Sequence, residues 1–356
     1  MKVAFHSNQL GLRGTEIALY DYAFYNQELL GNESIIYCRR SGEVHPEVYR
    51  KFAAQFECVF YDELQDLESI SSRRDVRHTY FIKAGPRDGL QLAATSNLVH
   101  AVFPTAAKDF HGDRFAFVSE WLADECSNCR IPFVPHMVDL PDHERDLRAE
   151  LNLPADAMVY GCYGGKDSFD IRFVREVVVM GESLTPHAFF LFMNIEPFCS
   201  HSRVRFLPGS SSLERKVSFI NSCDAMLHAR HLGESFGLAC AEFSIRNRPV
   251  VTYGLSSQRS HLHILGDAAL VYRDQKELLA ILRGIDPSER QRKSWDRYSA
   301  CFSPRPVMEK FREVFLTDAK QDLRLSLWDK LQVQRHRVNR KARSLNERLR
   351  PGSAPA

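Results

Sequence analysis

No apolar run in this chain is long enough to cross a bilayer. The longest, His187–Met193 (HAFFLFM), falls far short of the ~20 residues that a spanning helix needs. The opening residues, MKVAFHSNQLGLRG, lack the apolar core and small-residue cleavage site of a secretory leader, so a cytoplasmic location is expected. The nine cysteines are single and irregularly spaced. That odd count fits no disulfide framework. Cys126 and Cys129 form one CxxC, but neither a second pair nor histidines at ligand spacing follow. Two free thiols are therefore expected there, not a zinc site. Also missing are internal repeats, a Gly-x4-Gly-Lys-Ser/Thr phosphate loop, a Gly-x-Ser-x-Gly elbow and a zinc-protease motif.

Charge of either sign is nearly balanced, with a net of +2 over 356 residues. A balance of this kind does not imply nucleic-acid binding by the whole protein. The charge is nevertheless uneven: residues 318–356 hold ten Lys/Arg against four Asp/Glu. The body is thus slightly acidic and the tail basic. With 44% apolar and 26% charged residues, the composition is that of a folded globular protein, and the length suggests about two domains.

Along the chain, short apolar segments alternate with helical patterns. Lys2–Ser7, Ser34–Cys38, Cys58–Tyr61, His78–Ile82, Leu98–Phe103 and Arg114–Val118 read as strands. A helix is expected from Thr15, as its cap, to about Leu30. Ile131–Pro141 holds three prolines and reads as a hinge, followed by a short helix at Asp142–Leu151. A second alternating series then runs through Met158–Tyr163, Ala188–Met193, Val204–Leu207, Ala225–Ala229, Pro249–Tyr253 and Ala269–Tyr272, with helices at Leu213–Ser222, Phe236–Arg246 and Lys276–Gly284. The pattern predicts an α/β chain of two doubly wound domains, residues 1–137 and 138–303. Residues 304–317 are expected to form a helix packing back on the body. Residues 318–356 are expected to form a basic helical tail, helical over Ala319–Leu349 with a disordered end.

The most informative segment is Asn221–Gly254, NSCDAMLHARHLGESFGLACAEFSIRNRPVVTYG. A helix starting at Ser235 would offer free backbone N–H groups and the positive end of its dipole at the carboxyl end of a strand. That position suits an anion such as a diphosphate. Glu234 precedes the helix and Glu242 lies eight residues on, ~80° round and ~12 Å along the axis. Two such carboxylates can contact different parts of one extended ligand.

Glu-Ser-Phe-Gly-Leu, then Ala-Glu, then Pro-Val-Val resembles the Glu-x7-Glu motif of retaining GT-B glycosyltransferases, family 4 in particular. Gly11–Glu16 (GLRGTE), Phe117–Trp121 (FVSEW) and Pro135–Asp139 (PHMVD) resemble the family's first loop, first-domain end and hinge. The resemblance implies two Rossmann-like domains facing a cleft, the acceptor binding the first and the donor the second. It implies that Glu234 faces the transferred sugar, that Glu242 holds the ribose hydroxyls, and that the N–H groups of Ser235, Phe236, Gly237 and Leu238 hold the diphosphate.

The family's Arg/Lys pair is only half present in Gly161–Asp170 (GCYGGKDSFD). Lys166 is the expected leaving-group cation there, with Gly164 and Gly165 allowing close backbone approach; Arg230 and Arg203 are weaker stand-ins. His100 resembles the family histidine beside the reacting carbon, with His6 and His111 as rivals. Gly14 matches the loop glycine, and Lys83 is a further candidate for the cleft.

No Asp-x-Asp lies at a strand end, so a metal-bridged diphosphate is not expected. The expected activity is metal-independent, retaining transfer from a nucleotide sugar, a co-substrate and not a cofactor, to a glycan, a lipid-linked molecule or another hydroxyl acceptor. The alternative is a non-catalytic nucleotide-sugar-binding or glycan-assembly protein. The basic tail is expected to attract anionic lipid head groups or a polyanionic acceptor by charge, without insertion.

Overall fold

The structure is a computed structural model that describes residues 1–180, 187–286, 292–317 and 319–348. The end of the tail, with the sequence PGSAPA, lies outside them. The chain divides into two units: Met1–Met137 with Cys301–Val338, and Val138–Ala300 with the end of the chain from Asn339.

The first unit opens with β1 (Lys2–Ser7), α1 (Gly14–Glu28), β2 (Glu33–Arg39), α2 (Pro46–Gln55), β3 (Glu57–Tyr61), α3 (Leu64–Arg73), β4 (Val76–Lys83), β5 (Ser96–Ala101), β6 (Arg114–Phe117) and α4 (Glu120–Ser127). Its six strands are parallel, in the order β3-β2-β1-β4-β5-β6. Ala4 lies opposite Ile35 on one side and Thr79 on the other. Strands covered on both faces carry continuous apolar runs, which is why residues 3–5 and 35–38 are all buried.

The second unit repeats the plan with β7 (Met158–Tyr163), α5 (Arg172–Val179), β8 (Ala188–Met193), β9 (Val204–Leu207), α6 (Leu213–Ser222), β10 (Ala225–His228), β11 (Gly233–Glu234), α7 (Leu238–Ile245), β12 (Val250–Tyr253), β13 (Gln258–Arg259), α8 (Ser260–Leu265), β14 (Ala269–Tyr272) and α9 (Gln275–Gly284). Its sheet order is β9-β8-β7-β10-β12-β14, the same Rossmann winding, while β11 and β13 form a separate small ribbon. The order reverses between β7 and β10. The loops leaving those two strands therefore diverge and leave room for a ligand.

After α10 (Ser299–Phe302) the chain returns to the first unit as α11 (Pro304–Phe315), then an extended strap, then α12 (Leu327–Arg348). Phe311 and Phe315 of α11 complete an aromatic core with Phe5, Tyr22, Tyr80 and His100; the Tyr22–Phe311 ring centroids are 5.2 Å apart and those of His100–Phe315 5.5 Å. The strap covers the free edge of β6. The Gln321 side chain accepts from the Phe115 N–H at 2.7 Å and donates to its carbonyl at 2.9 Å. That pairing blunts an edge otherwise open to strand addition.

Three local expectations are corrected. Asp142–Leu151 is not a helix: its backbone is tied to the second unit, with Leu147 N–H donating to Ser222 Oγ at 2.7 Å and Arg148 gripping Asp224 at 2.7 Å. The last helix begins at Leu327, because residues 319–326 serve as the strap. Thr15 does not cap α1; Arg13 occupies the cap position and Thr15 Oγ1 donates to Glu16 Oε1 at 3.0 Å.

Candidate functional site

The loop after β10 is shaped by two glycines. Gly233 has φ +76°, and a Cβ there would strike the Gln258 carbonyl of the paired β13. Gly237 has φ +92° and caps α7, with a Cβ position only 3.0 Å from His261 Cβ. Glu234, Ser235 and Phe236 therefore lead into the helix in non-helical conformation. The helix starts at Leu238, three residues later than the sequence suggests, and its first-turn N–H groups have no partner within the helix. Phe236 is buried, edge-on to Tyr298 at 5.7 Å.

Glu234 lies at the centre of this loop. Its Oε1 accepts from His228 Nε2 at 3.2 Å and from Arg230 Nη1 at 3.1 Å. Burial alone would raise its pKa, but the His228 hydrogen bond and the Arg230 charge hold it at about 2. The group is an anion at neutral pH. An anion can only accept, so His228 Nε2 is the donor, while its Nδ1 shares a hydrogen bond with the Thr252 hydroxyl at 2.9 Å. Thr252 in turn accepts from His261 Nε2 at 3.0 Å. Burial holds the His261 ring neutral, with a pKa of about 3. This chain of hydrogen bonds fixes the Glu234 carboxylate from below. Sequence reasoning missed His228, Thr252 and His261, because polar residues inside two buried strands and on the short helix α8 carry no local motif.

Glu242, on α7, is differently placed. It is 4% exposed. Its Oε1 accepts from Lys216 Nζ at 2.8 Å, and its Oε2 accepts from the Tyr163 hydroxyl. Burial, with this carboxylate beside it, raises the Tyr163 pKa well above the usual phenol range. Both oxygens are engaged by protein groups, so the ribose role implied by the resemblance requires a side-chain movement that uncovers them.

The loop after β7 approaches the same strand ends. Ser168 closes it on the Gly165 carbonyl, through N–H at 2.9 Å and Oγ at 2.8 Å. Asn194 Nδ2 donates to the Gly164 carbonyl at 2.6 Å. A Cβ on Gly164 would push Ser168 Oγ away from the Gly165 carbonyl. Asp170 ties the loop to the β10 loop, donating its N–H to Ala229 O at 2.9 Å and accepting from His231 N–H at 2.6 Å. Lys166 itself is exposed on the turn. Arg230, ranked behind it from sequence, is the cation that the structure pairs with Glu234, its side chain 29% exposed.

In the first unit, His100 lies in the core. It is fully buried, with Nε2 donating to Val134 O at 2.9 Å and Nδ1 accepting from Tyr80 at 2.6 Å. Burial lowers its pKa to about 4. Both ring nitrogens are engaged by protein groups. His6 is also buried, paired with Tyr61 at 2.6 Å. Lys83 is 4% exposed and bound to Asp88 at 2.7 Å. His111 is buried against the Asp109 carbonyl at 2.7 Å.

Gly14 is exposed as the first residue of α1. Close by, Glu16 is buried, its carboxyl pKa raised by burial against the hydrogen bonds from Thr15 and Gln9. Its Oε2 has no hydrogen-bond partner. The sequence signal for it was an acidic residue in the first turn of a helix that follows a strand. Among the described residues, no group of three or more His, Cys, Asp or Glu is placed to hold a metal.

No family model matches the sequence, and no curated protein is similar to it in sequence. Solved structures are similar in fold. Anabaena Alr3699/HepE in complex with UDP-glucose matches with a TM-score of 0.67 at 12% identity, over 88% of this chain and 98% of that one. A glycosyltransferase from Rickettsia africae matches at 0.66 and 11% identity, over 89% and 99%. WaaG, a glycosyltransferase involved in lipopolysaccharide biosynthesis, matches at 0.58 and 11%, over 88% and 99%. The fold is GT-B. Across so low an identity this likeness carries the two Rossmann-like units, and the reading of individual side chains rests on the geometry above.

Proposed function

We propose that the protein is a glycosyltransferase that moves a sugar from a nucleotide-sugar donor to a hydroxyl of a glycan or lipid-linked acceptor, with retention of configuration and without a metal. One observation supports this best. An ionised glutamate, Glu234, is held by Arg230 and His228 at the β7/β10 switch point, three residues before the glycine that caps a helix. That combination offers an acceptor for sugar hydroxyls and cationic groups for a diphosphate within one loop.

In this reading Glu234 orients the transferred sugar. The first-turn N–H groups of α7, with Arg230 and then Lys166, stabilise the departing nucleoside diphosphate. Charge of this kind, fixed in place before reaction, lowers the barrier because no solvent reorganises as the leaving group gains charge. The departing phosphate takes the acceptor's proton on the same face, which accounts for retention without a carboxylate nucleophile. Glu242 contributes by fixing Lys216 and Tyr163 beneath the site and reaches a ribose only when uncovered.

The test is a panel of nucleotide sugars screened by thermal shift. A ligand at 100 times its Kd adds ~2.7 kcal/mol of stability. Hydrolysis of the stabilising donor in the absence of acceptor separates an enzyme from a non-catalytic binder. If no nucleotide sugar stabilises the protein, the proposal fails.

A further inference from the structure

α12 carries large apolar side chains on its solvent side. Leu327, Trp328, Leu331 and Val338 are 80%, 64%, 60% and 58% exposed, whereas the other exposed large apolar side chains among the described residues are scattered. At about 100° per residue, Leu327, Leu331 and Val338 fall within ~40° of one another, with Trp328 on their flank. The opposite face is the one attached to the protein. There His336 Nδ1 lies 3.4 Å from Asp124, Asp329 accepts from Asn128 at 3.1 Å, and Val333 is buried. The helix is therefore held with its apolar stripe outward.

Cations border the stripe on both sides: Arg335 beside Trp328, Lys330 and Arg337 on the other flank, all exposed. Lys330 and Arg324 also line an open groove of about 940 Å³ that Arg87 and Lys108 complete. Asp329, the acid in the helix's first turn, is bound to Asn128 at the end of α4. An apolar stripe between two basic borders matches the boundary of an anionic bilayer, with head groups on the rims and acyl chains at the centre. A second copy of the chain matches poorly, because stripe-to-stripe packing would bring like charges together.

We infer that α12 docks the protein in the plane of an anionic membrane, with Leu327, Trp328, Leu331 and Val338 inserted among the lipids. Charge attraction without insertion, as the composition of the tail suggests, is thereby extended to a helix that does both. The inference stands apart from the catalytic reading, since it uses no residue of the β7/β10 loops.

The test uses the full chain with phosphatidylcholine vesicles, with and without about one-third phosphatidylglycerol. Co-sedimentation is expected with the anionic vesicles only. A blue shift of tryptophan emission is expected on binding and should be lost in Trp328→Phe. Leu331→Ser should weaken binding on the order of tenfold. Arg335→Gln and Arg337→Gln should each weaken it about fivefold. These sites are exposed, so unchanged melting temperatures verify that the variants are folded. Binding that ignores Leu331→Ser and disappears in high salt would reduce the contact to charge alone and overturn insertion. Absence of vesicle binding, or a dimer dissolved by Leu331→Ser without vesicle binding, would overturn the membrane itself.

Discussion

Replacing Glu242 by alanine tests whether its partners are structural. In the resemblance this carboxylate serves the nucleotide, so its loss should cost donor affinity. In the structure it neutralises Lys216, with side-chain exposures of 6% and 7%, and anchors the Tyr163 hydroxyl. Breaking a buried ion pair leaves an uncompensated charge and typically costs ~3–5 kcal/mol, whereas replacing both members by apolar side chains is close to neutral. For a unit of this size each kcal/mol moves the melting temperature by roughly 2–4 °C. Glu242→Ala should therefore lower Tm by roughly 6–20 °C, and Glu242→Leu with Lys216→Met should recover most of that loss. Urea denaturation of the singles and the double forms a mutant cycle whose coupling energy should exceed about 1 kcal/mol. A single variant that melts within a degree or two of the wild type would refute the structural role. The ribose role of an uncovered Glu242 would then regain the ground.

Other consequences are checked more simply. His100→Ala should destabilise the first unit by about 2–5 kcal/mol, as loss of a buried ring does, while turnover per folded molecule stays normal; sharply reduced turnover in a stably folded variant would restore the catalytic reading of this residue. Arg230→Ala should slow donor turnover more than Lys166→Ala, because only the former cation is paired into the loop; the reverse order would return Lys166 to first rank. Acid should destabilise the fold early. His6, His100 and His261 have folded pKa values of about 3, 4 and 3 against 6.5 unfolded, so the stability of keeping them neutral is present above pH 6.5 and is lost as pH falls toward 4. Glu234, held at about 2, adds a loss below pH ~4.5. A stability profile flat between pH 6.5 and 4 would contradict this. EDTA should leave donor hydrolysis unchanged; abolition with rescue by Mg²⁺ or Mn²⁺ would contradict the helix-and-arginine account.

The sheets were legible in the sequence because buried parallel strands are short, apolar and spaced by helices. Ala188–Met193 and Met158–Tyr163 appear where their apolar runs put them. What failed was local. The start of α7 moved from Ser235 to Leu238 because Gly237 adopts a left-handed conformation beside His261, a tertiary cause with no sequence signature. Asp142–Leu151 has helical composition, but bonds to Ser222 and Asp224 hold it otherwise. Within the site, Glu234 was visible through its motif. The His228–Thr252–His261 chain was not, since it joins two neighbouring parallel strands, whose His228 and Thr252 are 24 residues apart in sequence, to the helix α8. His100, a polar residue at a strand end, was singled out from sequence, while its burial and its partners Tyr80 and the Val134 carbonyl were not legible there.

The central claim is that Glu234 orients a donor sugar whose diphosphate leaves toward Arg230 and the start of α7. The most direct measurement compares wild type and Glu234→Gln with the nucleotide sugar that gives the largest thermal shift. Donor Kd is read by calorimetry and release of nucleoside diphosphate is followed over time. The account predicts that the variant still binds the nucleotide within about tenfold, while release falls by on the order of 10²–10³. Equal rates of release in the two proteins would contradict it.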